Sequence, residues 1–117
     1  MTYGKKDFGR LDIDKLTTID FLNGIEDAAI CGKNICEYFK KLNEEPPTII
    51  NEIYDRILSY EAEIKKLIAG PRFTKKLKKK AFGLIISAQL ASVDMTNEVY
   101  KYAERKGKSF QKGKDND

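Results

Sequence analysis

INEIYDRILSYEAEIKKLIAGP, residues 50–71, is the stretch on which the fold turns. Its apolar residues Ile50, Ile53, Ile57, Tyr60, Ile64 and Leu67 recur in steps of 3, 4, 3, 4 and 3. That is a heptad seam about two and a half repeats long, the mark of a helix packed along one face. Glu52, Asp55, Glu61, Glu63, Lys65 and Lys66 fall off the seam. Gly70-Pro71 closes the segment: glycine accepts the left-handed position that ends many helices, and proline cannot continue one.

Upstream, Asn43-Glu44-Glu45-Pro46-Pro47-Thr48 reads as a loop, with the prolines suited to the first turn of the next helix. Before it a first helix is predicted to open at Thr17, capped by its hydroxyl with Asp20 as the reciprocal acceptor. Leu22, Ile25, Ala29, Ile35, Phe39 and Leu42 follow at helical spacing. Gly24, Ala28, Gly32 and Cys36 form a second stripe of small residues spaced by four, which lets another helix approach closely, within the bundle or in an oligomer. A turn at Asn23-Gly24 with the helix starting at Ile25 is the competing reading; the continuous helix is preferred. Residues 1–16 carry two glycines, a Lys-Lys pair and no long apolar face, and are expected to form a coil arm.

Downstream, a third helix is predicted from Phe73 or Thr74 to Lys106, stopped by Gly107. Its seam is Leu77, Ala81, Leu84, Ala88, Ala91, Met95, Val99 and Tyr102; Phe82, Ile85, Ile86, Leu90 and Val93 add a second apolar side. Unbroken, it would be about 50 Å long, so a kink at Gly83, Ser87 or Ser92, or a projecting end, is expected. The expected architecture is all-α: an antiparallel bundle of three long helices over residues 17–106, or four if the first or third is broken. Residues 107–117 are expected to be a disordered basic tail. The apolar belt of the third helix exceeds what two neighbours would cover, which points to a homo-oligomer.

The composition narrows the function. The chain has 117 residues, one domain's worth, with 41% hydrophobic and 34% charged residues and a net charge of +4. It has no His, which excludes Ser-His-Asp and Cys-His catalysis and His-ligated metal. Cys31 and Cys36 point to different helix faces and read as core cysteines. The paired carboxylates Glu52 with Asp55 and Asp94 with Glu98 read as solvated surface, because di-iron bundles need a Glu-x-x-His element. Ile68-Ala69-Gly70-Pro71-Arg72 lacks the spacing of a phosphate-binding loop. No catalytic residue, metal site or cofactor is therefore expected. Two cysteines and no signal peptide point to the reducing cytoplasm, and the longest uncharged run, residues 81–93, is too short to span a bilayer.

Charge is uneven along the chain. Arg72, Lys75, Lys76, Lys78, Lys79 and Lys80 place six cations within nine residues at the start of a helix, where the dipole is already positive. Free amides and lysines together favour an anion there, phosphate above all. Arg105, Lys106, Lys108, Lys112 and Lys114 extend the basic character at the far end. Phe73 and Phe110 are the candidates for base stacking, Phe73 otherwise serving as an N-terminal staple on Leu77. Against this, the acidic first 70 residues can neutralise the patch, and lysine lacks the fork that reads bases.

The expectation is a non-enzymatic basic helical protein that binds DNA or RNA, mainly through the phosphate backbone, with the start of the third helix and the tail. The alternatives are an oligomeric protein–protein interaction module or inhibitor using the small-residue stripe and heptad seam, and peripheral binding to an anionic membrane surface through residues 75–93.

Overall fold

Thr17 opens the first helix as its spacing predicts. The computed structural model describes residues 12–115, with side chains through residue 106. In it α1 spans Thr18–Lys41, with Thr17 and Asp20 making both halves of a capping box. The Asp20 amide donates to Thr17 Oγ1 at 3.3 Å, and the Thr17 amide donates to Asp20 Oδ2 at 2.7 Å. The helix runs through Asn23-Gly24 without a turn. At its end Asn43 takes φ 57°, the only non-glycine residue described with a positive φ. The Glu44 amide reaches the Phe39 carbonyl and the Asn43 amide the Lys40 carbonyl, both at 3.0 Å. That is a Schellman closure built on asparagine.

α2 spans Thr48–Ala69, with Pro47 just before its first turn. The left-handed ending expected at Gly70 is not there: Gly70 is extended, at φ −67° and ψ 164°, and no described glycine has a positive φ. Pro71 explains this, because proline steers the residue before it toward extended backbone. The left-handed position of this fold lies one connection earlier, at Asn43.

α3 spans Lys75–Asp115, with the Leu77 amide donating to Thr74 Oγ1 at 3.3 Å. The stop expected at Gly107 is corrected: the helical backbone passes through it. One glycine weakens a helix by about 1 kcal/mol without interrupting its hydrogen bonds, and no proline follows. The side chains of the expected 107–117 tail lie outside the described residues.

Residues 1–11 of the expected coil arm also lie outside the description. Its described end is a single 3₁₀ turn, Ile13–Lys15, capped by Asp12. Ile13 and Leu16 pack against the core, so the bundle begins a few residues before Thr17.

Three helices pack on one another, and no strand occurs among the described residues. α1 and α3 run parallel: Gly24 faces Ile85, Gly32 faces Met95, and Phe39 stacks edge-on with Tyr102 at 4.9 Å. α2 runs antiparallel to both, with Glu63 near Lys80 and Tyr54 near Gly32. The core holds Phe21, Ile25 and Phe39 from α1, Ile50, Ile53, Ile57 and Ile64 from α2, and Ala81, Ile85, Ala88, Ala91 and Met95 from α3. Burying each large apolar side chain contributes about 1.5–3 kcal/mol. No polar or charged side chain is buried among the described residues.

Candidate functional site

The small-residue stripe is spent inside the subunit. A Cβ on Gly24 would lie 3.2 Å from Ile85 Cδ1, and one on Gly32 would lie 2.5 Å from Tyr54 Cδ1. Ala28 is buried, and Cys36 packs against the core from its edge. The stripe therefore serves helix packing and leaves no small-residue groove open for a second protein. Burial pushes the Cys36 thiol above its ordinary pKa; Lys40 opposes the shift and Asp55 adds to it. Tyr54 is raised too, by burial first and then by Cys36, Glu61 and Glu37.

The basic start of α3 divides into two sets. Lys75 Nζ lies 3.2 Å from Asp14 Oδ2, and Lys78 Nζ donates to the Asp14 main-chain oxygen at 2.9 Å. Lys80 Nζ stands 3.8 Å from Glu63 on α2. Three of the six cations thus face acceptors of their own chain, and Thr74 already occupies the Leu77 amide. Arg72, Lys76 and Lys79 are exposed and make no ion pair or side-chain hydrogen bond among the described residues. They are the uncommitted part of the patch.

The cations at the far end do not join them. Lys106 pairs with Glu44 at 3.4 Å and lies 5.5 Å over the Tyr102 ring. Arg105 is exposed, and the Lys108 side chain lies outside the described residues. At 1.5 Å per residue, Lys79 and Arg105 stand about 40 Å apart along α3. Phe73 is no stacking platform: its ring meets Phe21 edge-on at 5.1 Å and packs against the core. Phe110 lies outside the described side chains.

The carboxylate pairs stay at the surface. Glu52, Asp55 and Asp94 are exposed, and Glu98 is tied to Lys101 at 3.3 Å. Among the described residues no three His, Cys, Asp or Glu side chains gather as metal ligands. No described helix is long and apolar enough to cross a membrane. Ala81, Ile85, Ala88 and Ala91 lie in the core, so that side of residues 81–93 reaches a lipid surface only by opening the bundle.

Of the second apolar side of α3, Ile85 is in the core and Phe82 packs against it, but the rest finds no cover within the chain: Ile86, Leu90 and Val93 are 44%, 62% and 54% exposed, and Tyr100 is 66% exposed. Beside them a groove of about 540 Å³ runs between α1 and α3, lined by Ile30, Cys31, Ile35, Tyr38, Val99 and Tyr100, with Asp27, Asn34 and Thr96 also contributing. Its Thr96 hydroxyl already donates to the Ser92 carbonyl at 3.0 Å. The result is an apolar face with few free polar groups.

Comparison with known protein families, characterised proteins and solved structures finds no match for this chain.

Proposed function

We propose that this protein is a non-enzymatic nucleic-acid-binding bundle that holds the phosphate backbone at the start of α3. The observation that carries the reading is the exposed set Arg72, Lys76 and Lys79, uncommitted at a helix N-terminus whose dipole also favours anions. Asp14 and Glu63 draw off their neighbours and narrow the contact to these three. Two lysines and one arginine favour backbone contact over base reading. Arg105, about 40 Å away along the same helix, suits a polyanion lying lengthwise on the bundle.

The test is fluorescence anisotropy with labelled single- and double-stranded DNA and RNA, at about 50 and 200 mM salt. On duplex DNA, three phosphates neutralised per chain give a log–log salt slope near −3. The triple variant Arg72→Ala/Lys76→Ala/Lys79→Ala is expected to lose most of the affinity, and Lys75→Ala/Lys80→Ala much less. Absence of binding at the lower salt overturns the reading.

A further inference from the structure

Residues 79, 83, 86, 90, 93, 97, 100 and 104 alternate in steps of 4 and 3 along the outer face of α3. All are exposed. They make a second heptad seam opposite the one buried in the core. Its centre is apolar, at Ile86, Leu90 and Val93, and its two ends carry opposite charges, Lys79 and Glu104. Gly83 lies in this seam, in mid-helix, and a Cβ added there would meet nothing within 4 Å. Nothing inside the subunit asks for a glycine at that point.

We propose that a second copy of this chain packs antiparallel along this seam, with the two-fold axis passing midway between Leu90 and Val93. That register sets Leu90 against Val93 of the second copy, Ile86 against Asn97, Gly83 against Tyr100 and Lys79 against Glu104. Each end pairs a cation with an anion, and each exposed tyrosine ring gains a seat over a glycine. The parallel alternative sets Lys79 against Lys79 and Glu104 against Glu104, and stacks tyrosine on tyrosine.

The exposed parts of Ile86, Leu90, Val93 and Tyr100 come to roughly 400 Å² of mainly apolar side chain. A standard interface takes about 800 Å² from each partner; this apolar centre is about half of that, and the exposed Lys79, Asn97 and Glu104 along the same seam add polar area. A patch of this size is among the largest that monomers carry, and such patches are often functional. The interface draws Lys79 toward Glu104 and leaves Arg72 and Lys76 open, so in the dimer each chain keeps two free cations of the patch for an anion, and the seam itself does not require nucleic acid.

Sedimentation equilibrium on the full chain tests this. The wild type is expected to show a concentration-dependent doubling of mass. Leu90→Glu and Gly83→Gln, both at exposed positions, are each expected to weaken it about tenfold or more while leaving the helical circular dichroism unchanged. Lys79→Glu is expected to weaken it, and Lys79→Glu/Glu104→Lys to restore it. A wild type that stays monomeric up to its solubility limit overturns the proposal and passes the face to residues 1–11 or to another protein. A dimer that ignores Leu90→Glu, or one that the charge exchange does not rescue, overturns the antiparallel seam.

Discussion

A Cβ placed on Gly32 would stand 2.5 Å from Cδ1 of Tyr54, across the contact between α1 and α2. The same hypothetical atom on Gly24 finds Ile85 at 3.2 Å, and on Gly83 it finds open space. Three helical glycines with equal intrinsic propensity therefore carry three different constraints. Gly32→Ala is expected to destabilise by about 1–2 kcal/mol, since overpacking against a ring outweighs the gain in helix propensity. Gly83→Ala is expected to stabilise the isolated subunit by up to about 1 kcal/mol, with Gly24→Ala between them. Chemical denaturation at low protein concentration checks the order; a neutral Gly32→Ala would contradict the close approach of Tyr54.

Asn43 closes α1 in the left-handed region at φ 57°. Asparagine tolerates that region better than most residues, and glycine better still. Asn43→Gly is expected to hold or raise stability by a few tenths of a kcal/mol, and Asn43→Val to lower it by about 1 kcal/mol or more. The reverse order would place the strain elsewhere in the connection.

Asp14 sets the electrostatics of the basic end. Its pair with Lys75 is exposed on both sides, at 69% for the lysine and 43% for the aspartate, so solvent screens it. Asp14→Asn is expected to change the melting temperature little, in keeping with the 0–1 kcal/mol typical of surface pairs. The same change releases Lys75 and removes a negative charge beside the patch. Nucleic-acid affinity at about 50 mM salt is expected to rise several-fold, with a steeper salt slope. Unchanged affinity would show that the Lys75 side of the helix does not face the ligand.

Alkaline pH is expected to act on stability through Cys36 and Tyr54. Both have pKa values raised in the folded state, chiefly by burial. A raised pKa means the folded state keeps its proton more tightly, so this part of the stability is complete below the unfolded values and is lost as pH rises through the folded ones. Loss is expected to begin above about pH 8.5 for the thiol and about pH 10 for the phenol. Cys36→Ala removes the first stage, so its melting temperature is expected to fall less than the wild type's between about pH 8 and 9.5. Parallel curves for the two proteins would rule out the thiol as the source.

Much of the architecture was legible because its signals are local. Thr17 with Asp20, the Pro46-Pro47 pair, Gly70-Pro71 and Thr74 mark helix boundaries within a few residues of where they act. The core follows the seams: Ile50, Ile53, Ile57 and Ile64 on α2, and Ala81, Ala88, Ala91 and Met95 on α3, are buried as their spacing predicts. Where local reading failed, a neighbour had changed the answer. Pro71 turned Gly70 to extended backbone, and Gly107 sat in a context free of proline.

The candidate site was legible only as a list of cations. Charge and helix position single out all six residues from Arg72 to Lys80 alike. The separation into committed and uncommitted ones depends on Asp14, which is 61 residues before Lys75, and on Glu63 across the α2–α3 contact. Likewise, the sequence reading groups Ile85 with Ile86 on one apolar side, and the packing of α1 beside α3 separates them, Ile85 into the core and Ile86 toward solvent.

Sequence periodicity and capping mark the three helices of this chain, since helix hydrogen bonds, caps and apolar spacing are set by residues no more than about four apart. Which apolar stripe each helix buries, where the small residues go and which charges stay free were decided by the packing of α1, α2 and α3. Those choices depend on side chains brought within a few ångströms across about sixty residues of chain, and no local pattern encodes that distance.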